Sequence, residues 1–291
     1  MGVRFERRVF FRQVGALALL AALPAAAQQF GSSANLDVPY VPTNQPTVEA
    51  MLRIANVGPG DFVVDLGSGD GRIVITAAKM FGARGFGVDL DPQRVKESLE
   101  NVKASGVGDR ALFYQRNVFD TKFSEATVVT MYLLPSVNLK LRPRLLAELK
   151  PGTRVVAHDF DMGEWKPDLT TTVRGYNSTV YFWVIPAKVD GRWDLRVDYP
   201  KDAPSRNLDI RQTYQEITVS AYSAGKRNAV REERLDGERI GFVLVDDDDY
   251  MKRYRFEGRV SGDAMEGTVR GEGGAPRAEM KWRAMRAAGQ K

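Results

Sequence analysis

Apolar residues in the first two thirds of the chain follow two patterns that alternate along the sequence. Short apolar runs of strand length alternate with stretches in which apolar residues recur every three or four positions, as at Val48, Met51, Leu52 and Ala55. The runs are typical of buried parallel strands, and the longer period is typical of helices that cover them. The predicted strands are 62–65, 85–89, 111–118, 126–134 and 154–160. The predicted helices run from 47 to a stop at 58–60, over 73–80, over 93–104 and over 139–149, with Pro143 as a break or a new first turn.

The pattern changes after residue 166, where helical periodicity ends. Two strands, over 169–174 and 178–186, are expected to pair antiparallel at one edge of the sheet. Beyond residue 188 the chain shows short apolar–polar alternations, as at Ile217, Val219 and Ala221, between turns rich in Gly and Asp. We therefore predict an α/β Rossmann-like domain over 38–187, with a mostly parallel sheet and an antiparallel edge, followed by a small antiparallel β-barrel or sandwich over 188–291.

The first 27 residues have the three parts of a secretory signal peptide. A stretch with four arginines precedes the apolar residues 14–27, and Ala25-Ala26-Ala27 offers a cleavage site before Gln28. Because a bilayer span takes about 20 residues, we expect no stable transmembrane segment here. Arg7-Arg8-Val9-Phe10-Phe11-Arg12 also resembles the twin-arginine export motif, although Glu6 departs from it. We expect a periplasmic or otherwise exported protein that meets the export machinery through this leader; the alternative is a cytoplasmic protein with an uncleaved apolar segment.

The composition excludes several kinds of site. The 291 residues include no cysteine, so disulfides, cysteine metal sites and thiol catalysis are excluded. The formal net charge is +5, but the leader contains four arginines and one glutamate, which leaves +2 for the rest of the chain. This balance does not support a basic interface, and we expect no nucleic-acid partner.

The chemistry is concentrated in VVDLGSGDGR, residues 63–72. The dinucleotide fingerprint G-x-G-x-x-G fails here because its third glycine position is Arg72. Asp65 and Asp70 flank the loop, and two carboxylates would oppose a pyrophosphate but suit a cationic ligand such as S-adenosylmethionine. Asp89 follows the second predicted strand, 18 residues after Gly71, and is placed to accept hydrogen bonds from two ribose hydroxyls.

Together, VVDLGSGDGR and GVDLDP resemble the first motif and the ribose-binding acid of class I S-adenosylmethionine-dependent methyltransferases. The resemblance covers about residues 38–187 and implies that S-adenosylmethionine is the cofactor. It implies that Asp65, Gly67 and Gly69 line the methionine end, that Ser68 also belongs to the cofactor site, and that Asp89 binds the ribose.

The adenine contact departs from the family pattern. The family usually has an acid after the third strand, whereas QRNVFD places Asn117 there, followed by Val118. Asn117 can still accept a hydrogen bond through its side-chain oxygen, and Asp120 is a competing candidate.

A second resemblance joins PYVPT, residues 39–43, to the glycine loop. This combination looks like the branch that holds mitochondrial protein-lysine methyltransferases. In that branch the segment helps to close the cofactor site, which implies roles for Tyr40 and Thr43.

Groups that contact the methyl acceptor are expected beyond the carboxyl ends of strands four and five. TMYLLPSVN ends the fourth strand and supplies Tyr132 and Asn138, and AHDFDMGEW ends the fifth and supplies His158. These three residues are our catalytic candidates, with packing as the alternative for Tyr132. For His158 the alternatives are a satisfied polar group at a strand end or a metal site with Asp159 and Asp161; since no further ligand is evident, we predict no metal. The Asn/Asp-Pro-Pro-Tyr signature of base and glutamine methylation is absent.

Two functional hypotheses follow. The first is methyl transfer to an unidentified protein or small-molecule acceptor, such as a protein lysine or another amine. The second is an exported, non-catalytic protein of the same fold whose C-terminal β domain binds a ligand or partner. Its motivation is the export signal, because the methyl donor is made in the cytosol and an exported protein would lack access to it. Export of the folded protein with cofactor already bound would reconcile the two.

Overall fold

The structure, a computed structural model, describes residues 40–198, 206–223, 225–246 and 249–287. The leader predicted over residues 1–27 lies outside these ranges. Within the described ranges, no helix combines the length and the apolar character that crossing a membrane requires. The helices are α1 Gln45–Ile54, α2 Arg72–Phe81, α3 Pro92–Ser105 and α4 Pro135–Glu148. The strands of the first sheet are β1 Phe62–Leu66, β2 Arg84–Asp89, β3 Ala111–Gln115, β4 Val128–Met131, β5 Arg154–His158, β6 Leu169–Val173 and β7 Ser178–Val184.

The first sheet has seven strands in the order β3-β2-β1-β4-β5-β7-β6. β1 to β5 are parallel, whereas β7 pairs antiparallel with β5 and β6 pairs antiparallel with β7. The predicted Rossmann-like sheet with an antiparallel edge is therefore confirmed. The central strands β1 and β4 are almost entirely buried, which agrees with their unbroken apolar runs.

Helix α4 corrects the sequence prediction at both its start and its interior. The predicted helix began at Leu139 with a break at Pro143, whereas α4 begins at Pro135 and contains Pro143. Pro135 suits the first helical turn because the missing N–H would have no partner there. Val137 and Leu141 are buried on the same face, so packing on the sheet outweighs the local cost of Pro143. The early start also ends β4 at Met131, three residues before the predicted end.

The second sheet is antiparallel and nearly closed into a barrel, as predicted. Its strands are β8 Gly191–Val197, β9 Arg206–Thr213, β10 Glu216–Ser223, β11 Lys226–Asn228, β12 Val230–Asp236, β13 Arg239–Val245, β14 Arg253–Ser261, β15 Ala264–Glu272 and β16 Glu279–Arg286. Their order is β11-β10-β9-β8-β16-β15-β14-β13-β12. Both sheets belong to one compact unit, and the domain boundary near residue 188 stays a prediction.

Large aromatic side chains fill the interior of the barrel. Phe242 and Phe256 stack with ring centroids 4.9 Å apart, and Trp282 meets Phe256 edge to face at 5.7 Å. Trp193 and Trp282 are both buried in the same core. These side chains form the core of the barrel, and they occupy the volume that a ligand inside it would need.

Candidate functional site

The glycine loop follows β1 and turns sharply into α2. The amides of Gly67 and Ser68 donate to the carbonyl of Val88 at 2.9 and 2.8 Å, which holds the loop against β2. Gly69 has a φ of +53°, and a Cβ there would lie 2.6 Å from Cε2 of Tyr40. The loop therefore needs glycine both for its left-handed backbone and for the close approach of the Tyr40 ring.

Asp65, near the end of β1, is unusual because its carboxylate is buried. Oδ1 accepts a hydrogen bond from Oγ1 of Thr130 at 2.7 Å, whereas Oδ2 has no hydrogen-bond partner among the described residues. Burial raises the pKa of Asp65 to about 7; the Thr130 hydrogen bond opposes the rise, and the charges of Asp89 and Asp70 add to it. A cationic group beside Oδ2 would stabilise the ionised carboxylate.

Asp70 does not act as the second carboxylate that the sequence suggested. Arg72 donates from Nε to Oδ1 at 2.9 Å and also binds Oδ2, so its guanidinium neutralises the carboxylate. Burial alone would raise the pKa of Asp70, but the hydrogen bonds and charge of Arg72 hold it below its ordinary value. Arg72 also donates to the carbonyl of Thr43 at 2.7 Å, which ties the loop to residues 40–43. The preference for a cationic ligand therefore rests on Asp65.

Asp89 lies at the end of β2 with both carboxylate oxygens directed by backbone amides. Gly69 donates to Oδ2 at 2.8 Å, and Asp91 donates to Oδ1 at 3.0 Å. Each oxygen keeps a further lone pair, so Asp89 can accept from two neighbouring hydroxyls. Arg94 of the following helix stands over the Tyr40 ring at 4.3 Å and fixes that ring beside the loop.

The segment after β3 lines the same cavity as the glycine loop and Asp89. Asn117 caps a single 3₁₀ turn, Val118–Asp120, because its Oδ1 accepts from the amide of Phe119 at 2.9 Å. Asn117, Val118 and Phe119 line the cavity. The competing candidate Asp120 is exposed at the end of the turn.

Tyr132 stands directly after β4 on the other side of Asp65. Its hydroxyl donates to Oδ2 of Asp159 at 3.5 Å, and its ring stacks on Phe160 with centroids 6.1 Å apart. Burial, followed by the charge of Asp159, raises the pKa of Tyr132, so the phenol keeps its proton at neutral pH. Asp159 has a φ of +58°, a left-handed backbone that is costly for a residue other than glycine and that clusters at functional sites.

His158 and Asn138 lie behind the cavity wall. The buried His158 ring lies 3.9 Å from the Tyr132 ring, and its Nδ1 shares a hydrogen bond with Oγ1 of Thr43 at 3.0 Å. Burial lowers the pKa of His158 although Asp159 opposes the shift, so the imidazole is neutral at pH 7. Asn138 is fully buried, and its Nδ2 donates to the carbonyl of Phe160 at 3.0 Å. Both residues therefore reach the cavity through a neighbour, His158 through Tyr132 and Asn138 through Phe160.

One cavity of about 330 Å³ collects the predicted cofactor residues. The predicted residues that line it are Tyr40, Thr43, Asp65, Gly67, Ser68, Gly69, Asp89, Asn117, Val118 and Tyr132. Sequence reasoning missed further lining residues, among them Leu90, Asp91, Arg94, Phe119, Leu133, Leu134, Val137 and Phe160. Six of these eight lie one or two positions after a predicted residue, and this adjacency was the available signal. In the described part of the chain, no group of three or more acidic or histidine side chains is arranged to hold a metal ion.

Part of the chain is similar to known methyltransferases. A family model described as the ANTKMT methyltransferase domain matches residues 65–169, which leaves the second sheet outside the match. A protein-lysine N-methyltransferase of Saccharolobus islandicus (strain REY15A) is 50% identical over 151 residues, 51% of this chain and 94% of that protein. The adenine nucleotide translocase lysine N-methyltransferase of Mus musculus is 33% identical over 132 residues, 45% of this chain and 57% of that protein.

A solved structure adds a bound cofactor product to these similarities. An RNA methyltransferase from Salinibacter ruber, in complex with S-adenosyl-L-homocysteine, is 55% identical with a TM-score of 0.50. The match covers 51% of this chain and 96% of that one. The methyl donor inferred from Asp65 and Asp89 is thereby confirmed. The chain belongs to the class I S-adenosylmethionine-dependent methyltransferases, in the branch of the protein-lysine methyltransferases.

Proposed function

We propose that the protein methylates the ε-amino group of a lysine in a partner protein. The observation that carries this proposal is the division of the cavity by the sheet order. β2 and β3 place Asp89 and Asn117 on one side of Asp65, and β4 and β5 place Tyr132 and Asp159 on the other. The first side suits a nucleoside, and the second leaves a polar pair beside the methionine end for an acceptor. The names of the Saccharolobus and mouse relatives support lysine as that acceptor.

The residues present fit S-adenosylmethionine. Oδ2 of Asp65, which has no hydrogen-bond partner in the described part of the chain, suits the ammonium of the methionine moiety, and the free lone pairs of Asp89 suit the ribose hydroxyls. Asn117, Val118 and Phe119 offer a polar edge and an apolar wall for the adenine. When bound, the cofactor would supply a methyl group on a sulfonium for in-line attack at the methyl carbon by an acceptor lone pair, with S-adenosylhomocysteine as the leaving group.

The residues of this chain prepare the acceptor rather than perform acid catalysis. A lysine must arrive as a neutral amine, and the apolar wall formed by Leu133, Leu134 and Val137 disfavours its charged form. Because the Tyr132 hydroxyl donates to Asp159, the lone pairs of its oxygen remain available to accept from the incoming amine. This contact orients the nitrogen lone pair, and alignment is the main contribution an enzyme makes to such a displacement.

The affinity for S-adenosylhomocysteine should depend on pH through Asp65. In the free protein its pKa is about 7, and an ammonium beside Oδ2 lowers it, so binding below pH 7 requires release of a proton. We expect the dissociation constant to rise up to about tenfold for each pH unit below 7. Calorimetry from pH 5.5 to 8.5, in two buffers of different ionisation enthalpy, measures both the affinity and the released proton. A constant affinity over this range would contradict the role given to Asp65.

The proposed acceptor is tested by transfer of label. Purified protein is incubated with methyl-labelled S-adenosylmethionine and with envelope or cytoplasmic extracts, each before and after ribonuclease treatment. The leader predicted over residues 1–27 makes envelope proteins the first class to examine. We expect ribonuclease-resistant label that acid hydrolysis releases as N-methylated lysine. Label lost with ribonuclease would instead identify RNA, the acceptor that the description of the Salinibacter protein names. Absence of transfer to any extract would overturn the proposal.

A further inference from the structure

The loop between β5 and β6, residues 159–168, joins the acceptor side of the cavity to the C-terminal barrel. Asp159 and Phe160 stand at its start, where Asp159 contacts Tyr132 and Phe160 lines the cavity. The position of this loop therefore fixes the wall that a lysine side chain would pass.

Helix α4 holds the first half of this β5–β6 loop. Nδ2 of Asn138 donates to the carbonyl of Phe160 at 3.0 Å, and Nη1 of Arg142 donates to the carbonyl of Met162 at 2.7 Å. Both bonds act on backbone atoms, so they set the path of the chain whatever side chains it carries.

The barrel holds the second half through the two-residue turn between β9 and β10, Tyr214 and Gln215. Nε1 of Trp165 donates to Oε1 of Gln215 at 2.9 Å, and Nε2 of Gln215 donates to the carbonyl of Lys166 at 2.7 Å. The Tyr214 ring stacks on Trp165 with centroids 6.2 Å apart, and the guanidinium of Arg142 stands over the same ring at 5.6 Å. The turn thus contacts both the loop and the helix that holds it.

These contacts involve a fully buried tryptophan and an unfavourable backbone conformation. Trp165 is completely buried in the core of the first sheet, against which Tyr214 of the barrel packs. The carbonyl of Trp165 also accepts a hydrogen bond from Nε1 of Trp183 at 2.9 Å. Tyr214 has a φ of +57°, which is costly for an aromatic residue and persists where surrounding contacts compensate for it. A turn that served to join two barrel strands alone would be better met by glycine or asparagine at that position.

We propose that the β9–β10 turn of the barrel positions the acceptor side of the active site. Gln215 and Tyr214 are positioning residues: they fix Trp165 and Lys166, and so hold Phe160 and Asp159 beside Tyr132. The inference rests on the proposed function, since it concerns the lysine side of that site. It assigns the barrel, which lies outside the family match, a part in methyl transfer.

The test compares Gln215→Met and Tyr214→Ala with two controls. Gln215→Met keeps the size of the side chain but removes both hydrogen bonds, and Tyr214→Ala removes the stacked ring. Tyr214→Phe keeps that ring and should retain the activity that Tyr214→Ala loses. Tyr250→Ala is the second control, because it removes an exposed aromatic side chain of the barrel that lies outside the turn. We expect kcat/KM for the protein acceptor to fall by about 10- to 100-fold in the first two variants. The dissociation constant of S-adenosylhomocysteine should stay within about twofold, because the contacts of Asp65 and Asp89 are unchanged.

Hydrogen exchange provides a readout that does not depend on turnover. In Gln215→Met and Tyr214→Ala, peptides that cover residues 160–166 should exchange faster, whereas peptides that cover residues 62–72 should not change. If the wild-type protein transfers no methyl group, the proposed function fails while the exchange result still reports the coupling. Unchanged exchange, or faster exchange with wild-type acceptor kinetics, would overturn the positioning role. An equal loss of cofactor affinity would overturn it too, because it would indicate general loosening of the fold.

Discussion

Replacing Asp65 by asparagine is expected to weaken binding of S-adenosylhomocysteine by between about 30- and 700-fold. The variant keeps the size of the side chain and the acceptor for Thr130, but it removes the charge that faces the ligand ammonium. Loss of a buried, charge-assisted contact costs about 2–4 kcal/mol, which gives this range. Titration calorimetry at pH 8, where wild-type Asp65 is mostly ionised, measures the effect.

The same substitution should stabilise the free protein at alkaline pH. The folded-state pKa of Asp65 lies above its ordinary value of 3.8, at about 7, so the native state holds a proton that the unfolded state has lost between these values. The unfolding free energy of the wild type therefore falls as pH rises through this window, by about 4 kcal/mol in total. An asparagine side chain at this position would not titrate. The stability of Asp65→Asn relative to the wild type should thus increase from pH 4 to pH 8.

Urea unfolding followed by tryptophan fluorescence at several pH values tests this expectation. Asp109→Asn is the matched control, because the Asp109 side chain is 75% exposed and should leave both affinity and pH dependence unchanged. A difference between wild type and Asp65→Asn that does not vary with pH would show that Asp65 does not bind its proton in the folded protein. Unchanged cofactor affinity in the variant would place the ammonium elsewhere.

The contrast between Asp65 and Asp70 shows which features of the site the sequence predicts and which it does not. The glycine pattern, the acid after the second strand and the apolar runs are local features, and they predicted the parallel sheet and the cofactor. The two carboxylates look equivalent in VVDLGSGDGR. Among the residues that the structure describes, Asp65 is buried with one oxygen that accepts no hydrogen bond, whereas Asp70 is paired with Arg72. Their difference depends on how the loop turns between β1 and α2, which no spacing rule encodes.

The acceptor side was less predictable for a related reason. Tyr132 lines the cavity as a strand-end residue should, but His158 and Asn138 lie behind the wall. His158 is the buried last residue of β5, and Asn138 lies on the buried face of α4, which begins at Pro135. The contact between the β5–β6 loop and the β9–β10 turn joins residues about 50 positions apart. Such a contact depends on how the two sheets pack together, and the hydrophobic pattern of neither sheet predicts it.

Replacing Tyr132 by phenylalanine is expected to lower kcat for methyl transfer by about 10- to 100-fold while cofactor affinity stays within about twofold. The ring keeps its packing against His158 and Phe160, but the oxygen that would accept from the amine is lost. A hydrogen bond to a group that becomes charged during transfer is worth about 1.5–3 kcal/mol, which corresponds to this loss in rate.

Single-turnover kinetics with a saturating lysine acceptor separate this effect from binding, and Tyr114→Phe on the exposed face of β3 is the matched control. Asp159→Asn should reproduce part of the loss, since asparagine tolerates the left-handed backbone but cannot accept from Tyr132 as strongly. Because Asp159 acts through Tyr132, the double variant should be no slower than Tyr132→Phe alone. Additive losses would mean that Asp159 contacts the acceptor directly, and wild-type kinetics in Tyr132→Phe would leave the ring a packing role alone.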